Sequence, residues 1–124
     1  MLTTKVWRSV NLAIPEKHLE QYKDNKRVFN SNFFDRQENF NWKVTVIFYA
    51  AIHLIESNIP KGVNCNNHEQ RNNIIEKSFV DIIDPYENLY QLSRKARYKC
   101  IKVKERDVTN ALISLRKIED KFLN

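Results

Sequence analysis

Three histidines, eight arginines and two cysteines carry most of the chemistry open to this chain of 124 residues. His53 and Glu56 stand three apart, so on a helix they share a face. Glu and His at that spacing supply half of a di-iron bundle site, but there the Glu comes first and a second copy is required. No second copy exists, and the only histidines are His18, His53 and His68, so the spacing gives no metal site and no cofactor. A buried His53 satisfied by one hydrogen bond is the simpler reading. His68 and Arg71 open a helix together. A helix N-terminus attracts anions, and a His there could lie beside one. They read equally well as surface residues of a first turn.

The sharpest charge feature is residues 94–106, RKARYKCIKVKER, with seven basic residues and one acid, Glu105. Arg94 and Arg97 project from similar angles of one helix, with Lys95 and Tyr98 beside them. Guanidinium groups grip phosphate in a bidentate way, and Tyr stacks on bases. A solvated basic face is the commoner origin of such a run. Tyr86, Tyr90 and Tyr98 recur at helical spacing, a pattern typical of packing. The candidate binding set is therefore Arg94, Arg97, Tyr98, Lys95 and Arg71. The candidate proton carriers are His68 and His53. The chain holds no nucleophile elbow, Walker loop, Rossmann glycine pattern or zinc signature.

These residues need helices to position them. Pro15 fits the first turn of a helix over residues 16–29, with Leu19, Tyr22, Lys26 and Phe29 on one modest face, an outer helix. Phe33, Phe34 and Phe40 follow in a polar stretch as loop anchors. Residues 41–57, capped by Asn41, are apolar nearly all round, which predicts the central helix. Pro60 and Gly62 end it. Asn67 with Gln70 resembles a capping box for a third helix over residues 68–79. Asp84 and Pro85 open a fourth as cap and first residue, with Leu89, Leu92, Ala96 and Cys100 inward. Asp107 caps a fifth, with Ala111, Leu112, Leu115, Ile118 and Phe122 inward. The β-prone runs 80–83 and 101–103 read as tight connections.

The bulk numbers agree. One Gly, three Pro, 42% hydrophobic and 29% charged residues predict one all-α domain over residues 1–124. A net charge of +6 favours acidic partners such as nucleic acid, or simply solubility. No apolar run reaches the roughly 18–20 residues that cross a bilayer. The first 18 residues lack the apolar core of a secretory signal. Cys65 and Cys100, without CxxC spacing, read as reduced thiols of a cytoplasmic protein, with a bridge between them left open.

Three blocks carry a family resemblance. The run from Trp42, Lys43, Val44, Thr45 and Val46 through Phe48, Tyr49, Ala50, Ala51, Ile52, His53, Leu54, Ile55 and Glu56 resembles the long second helix of HEPN domains (higher eukaryotes and prokaryotes nucleotide-binding). Asn67, His68, Glu69, Gln70, Arg71 and Asn72 resemble the start of that family's third helix. Tyr90, Gln91, Leu92, Ser93, Arg94, Lys95, Ala96, Arg97 and Tyr98 resemble its fourth-helix pattern of Leu, Arg and a terminal Tyr. The similarity covers residues 38–122. It implies an up-and-down bundle of about five helices that dimerises, acting as an RNase, a toxin component, or a non-catalytic RNA- or nucleotide-binding partner. Catalytic members carry Arg, then His after four to six intervening residues. Here no His follows an Arg at that spacing: His18 is ten residues after Arg8, and no His follows His68. Arg94 or Arg97 takes the Arg place, with Tyr98 near where the His would stand.

The expectation is a non-catalytic RNA- or nucleotide-binding homodimer, with an antitoxin-like protein as a further partner and no membrane association. The alternatives are a metal-independent RNase with His53 or His68 as base, and a structural subunit of a protein assembly.

Overall fold

Residues 15–124 are described by a computed structural model. They form five α-helices: α1 (Pro15–Phe29), α2 (Phe40–Glu56), α3 (His68–Ser78), α4 (Ile83–Tyr98) and α5 (Glu105–Leu123). Three short 3₁₀ turns lie between them, and the described residues contain no strand. The reading of the first residues as no signal segment falls mostly outside this range.

The apolar run predicted to be central is central. On α2, Val44, Ile47, Ala50, Ala51, Leu54 and Ile55 are fully buried. Burial over so broad an arc requires neighbours on several sides, and α1, α4 and α5 supply them. His18 near the start of α1 meets His53 near the end of α2. Asn41 at the start of α2 meets Ala96 near the end of α4. Asn88 of α4 reaches Ser114 of α5, and Lys95 reaches Asp107. These pairings make α1, α2, α4 and α5 run antiparallel in succession. The shorter α3 closes the end where α2 stops and α4 begins.

α1 packs on α2 as the outer helix expected, with Tyr22 and Phe29 of its predicted face buried in the core. Tyr22 O–H donates to the buried Glu119 of α5, and Lys26 reaches the same oxygen at 2.5 Å. Several local readings change. α2 begins one residue early, so Asn41 is not its cap. Its side chain instead donates to the carbonyls of Ala96 and Ile101 at 3.0 and 2.9 Å and accepts the Val103 N–H at 2.9 Å. That clamp fixes the α4–α5 connection. α4 begins at Ile83 because the preceding 3₁₀ turn feeds straight into it. Pro85 is then the third helical residue, where a missing N–H still costs nothing. Asp107 lies inside α5, where its carboxylate accepts the Lys104 backbone N–H at 3.0 Å. That contact holds its carboxyl below the usual range against the opposing effect of burial. Gln70 caps Asn66 rather than Asn67, while the Asn67 side chain accepts the Gln70 N–H as expected, both at 2.8 Å. Phe34 is buried, but Phe33 stays exposed with its neighbour's ring against it. Leu112 and Cys100 are exposed rather than inward. Cys65 and Cys100 are both free thiols. No helix among the described residues is long and apolar enough to cross a membrane.

Candidate functional site

Residues that the chain spreads over four helices meet along one continuous polar and aromatic seam. Helical periodicity sets up its first part. Trp42, Tyr49 and His53 fall within about 40° of one another around α2, and Glu56 follows one turn on. α1 brings His18 alongside. His18 Nδ1 lies 2.9 Å from His53 Nδ1, with the rings stacked at 5.1 Å, and 3.3 Å from Glu56 Oε2. Both histidines and the carboxylate are partly enclosed. Burial, reinforced by the neighbouring His18, pushes the His53 pKa below the ordinary imidazole value, although Glu56 opposes this.

The Asn67 cap starts α3 so that His68 and Arg71 point back toward α2 and α4. Arg71 is only 8% exposed. It donates through Nη2 and Nε to Glu56 Oε1 at 2.9 and 3.2 Å, and through Nη1 to the Tyr86 hydroxyl at 3.3 Å. Tyr86 also pairs with His68 Nδ1 at 2.8 Å. The His68 ring lies flat on Tyr90, centroids 3.5 Å apart and planes 7° from parallel. Burial lowers the His68 pKa; Glu87 opposes this, and the charges of Arg71 and Arg94 reinforce it. A neutral imidazole is therefore the resident form at neutral pH.

Tyr90 carries the seam onward. The Arg94 guanidinium sits 5.8 Å from the Tyr90 ring and 5.4 Å from the Tyr98 ring. Arg97 lies 4.7 Å from the Tyr98 ring and 5.6 Å from Tyr49. Its Nη1 donates to the hydroxyls of Tyr49 and Tyr98 at 3.0 and 3.2 Å. Neither Arg94 nor Arg97 has a carboxylate within 4.0 Å among the described residues. Tyr98 is 62% exposed and Tyr49 39%. Two cations are thus oriented by aromatic rings and phenols, with their charge unneutralised by acid. Cation–aromatic contacts of this kind contribute about 0.5–1 kcal/mol at exposed sites.

The sequence candidates divide accordingly. Arg94, Arg97 and Tyr98 come together on one face of α4. His68 joins them through Tyr90. Arg71 is placed inside, held by Glu56 and Tyr86 rather than facing solvent. Lys95 points to the other side of α4 and pairs with Asp107 at 3.4 Å. His53 is half-buried and hydrogen-bonded, as its simpler reading required, but its partner is His18. Sequence reasoning missed His18, Tyr49 and the linking roles of Tyr86 and Tyr90. Tyr49 was findable from its spacing of seven to Trp42 and four to His53. His18 has no local signal, because only packing of α1 on α2 brings it there. A cleft of about 510 Å³ opens beside this end of the seam, lined among others by His18, Glu56, Cys65 and Arg71. Burial raises the Cys65 thiol above its usual pKa, so it is a poor nucleophile there. Comparison with protein-family models, curated proteins and solved structures finds no match to this chain.

Proposed function

We propose that this chain is a HEPN-like, non-catalytic module that binds single-stranded RNA or nucleotides through Arg94, Arg97, Tyr98 and Tyr49. The observation that carries the reading is the pair of arginines held by phenols and aromatic faces with no acid beside them. A guanidinium so oriented keeps N–H donors for phosphate, and an exposed tyrosine ring offers a base a stacking face. The protein acts as a homodimer. Trp42, 64% exposed and on the same stripe of α2 as Tyr49, is the aromatic that a second copy covers. An antitoxin-like protein of acidic surface is the further partner that the net charge of +6 favours.

Fluorescence anisotropy with a labelled mixed-sequence RNA tests the reading. The logarithm of affinity falls with the logarithm of salt, by roughly 0.7 per phosphate contact. Changing Arg94 and Arg97 together to Ala removes two contacts and lowers that slope by about 1.4. Parent and variant binding alike refutes the assignment.

A second reading, a metal-independent RNase, is favoured by one observation. His68 is held neutral and stacked at the edge of the same arginine surface, the state a general base needs. RNA cleavage in EDTA that disappears with His68→Ala would replace the non-catalytic reading.

A further inference from the structure

We infer that His18, His53 and Glu56 form a binding site for one divalent transition-metal ion of the zinc class. The inference is independent of RNA binding. One nitrogen from each ring and one carboxylate oxygen all lie within 4.8 Å of one another. Metal bonds of about 2.0–2.1 Å at angles of roughly 90–110° place donor atoms about 2.9–3.4 Å apart. The observed His18 Nδ1 separations, 2.9 Å to His53 Nδ1 and 3.3 Å to Glu56 Oε2, fall in that range. Two imidazoles with one carboxylate suit zinc, cobalt or nickel; magnesium and calcium prefer all-oxygen shells.

The surroundings fit a bound ion. Arg71 occupies only Glu56 Oε1, which orients the carboxylate and leaves Oε2 turned toward His18. Without metal, one of the two Nδ1 atoms must donate to the other, because two facing lone pairs repel. With metal, the donor ring takes its Nε2–H tautomer and both Nδ1 lone pairs face the ion. His18 and Glu56 also line the cleft of about 510 Å³. Three protein ligands beside an open cleft leave a fourth position for water or an added ligand.

The test uses tag-free protein stripped with EDTA, exchanged into chelator-free buffer at pH 7.5 and titrated with Zn²⁺ by calorimetry. One equivalent binds. His18→Gln and His53→Gln each weaken it at least about tenfold, the scale on which even outer-shell contacts act. His68→Gln leaves it unchanged. Absence of binding by the parent, or equal binding by a folded His18→Gln variant, overturns the site. Should His53→Gln fail to fold, His18→Gln decides alone. Cobalt substitution adds a spectroscopic check. Visible d–d bands without a thiolate charge-transfer band support the nitrogen–oxygen ligand set. A charge-transfer band lost in Cys65→Ser would move the ion to the thiol and overturn it.

Discussion

Arg71→Met isolates the charge at the centre of the seam. Met keeps much of the apolar stem volume and removes the guanidinium. In the parent, three nitrogens of Arg71 serve Glu56 Oε1 and the Tyr86 hydroxyl. The side chains of Arg71 and Glu56 are 10% and 11% exposed, so water does not replace the lost partner well. Removing one half of a buried pair costs about 3–5 kcal/mol, chiefly because the other charge is left behind. That is a large part of the about 5–15 kcal/mol that holds a domain folded. The cost also depends on pH. Burial lowers the pKa values of His53 and His68, and the Arg71 charge adds to this at both. A His with a lowered folded pKa contributes full stability above its unfolded value near 6.5, and that stability is lost as pH falls through the folded value. Without Arg71 both folded values move back up, so the variant loses less on acidification. Urea midpoints by circular dichroism, in EDTA at pH 8 and pH 5.5, measure the gap between parent and variant. The gap is about 3–5 kcal/mol at pH 8 and smaller at pH 5.5. A gap below about 1 kcal/mol at pH 8, or one that widens in acid, refutes the reasoning.

The remaining predictions concern the frame. Ala51→Asp puts an unpaired carboxylate at a fully buried point of α2 and costs several kcal/mol; a variant that melts like the parent would show that α2 is not enclosed. Cys100 adopts φ 52°, in the left-handed region, just after α4. Its side chain is exposed, so Cys100→Gly relieves strain without opening a hole and raises stability by about 0.5–1 kcal/mol; a lower melting temperature would contradict that account. Ser93 is fully buried, and its hydroxyl has no hydrogen-bond partner among the described residues. Ser93→Ala is then neutral or stabilising by about 1 kcal/mol, and a loss of that size in thermal melts would mean a partner exists.

What was legible in the sequence follows from the range of the forces involved. The apolar run of α2 announced its own burial, because a helix apolar on every side has one solution. The Asn67 cap was equally local, and the inward faces of α4 and α5 were read in part: Leu89, Ala111, Leu115 and Ile118 are buried, while Cys100 and Leu112 are exposed. Caps failed where a neighbouring element supplied the partner. Asn41 looked like a cap because Asn so often is one, but its amide joins the end of α4 to the start of α5. Pro85 looked like a first residue, yet a 3₁₀ turn had already begun the helix. The site divides in the same way. Arg94, Arg97 and Tyr98 lie within five residues of one another, so their meeting could be foreseen. His18 and His53 are 35 residues apart and Arg71 and Glu56 are 15 apart. Those pairs exist only once antiparallel packing has set the register.

That register also changes what each half of the seam can do. Taken as separate segments, the basic run is a surface and the histidines are packing residues. In the fold, Tyr90 takes the His68 ring on its face and the Arg94 guanidinium nearby, while Tyr86 ties His68 to Arg71 and so to Glu56. A phosphate arriving at Arg94 would add a negative charge near His68, favouring the imidazolium that burial and the arginines now oppose. Protonated His68 can only donate through Nδ1, so the Tyr86 hydroxyl must accept from it. That hydroxyl also accepts from Arg71 and would keep one acceptor lone pair for each donor. The two donors would then converge on the Tyr86 oxygen while Arg71 goes on donating to Glu56, with no movement of the backbone required.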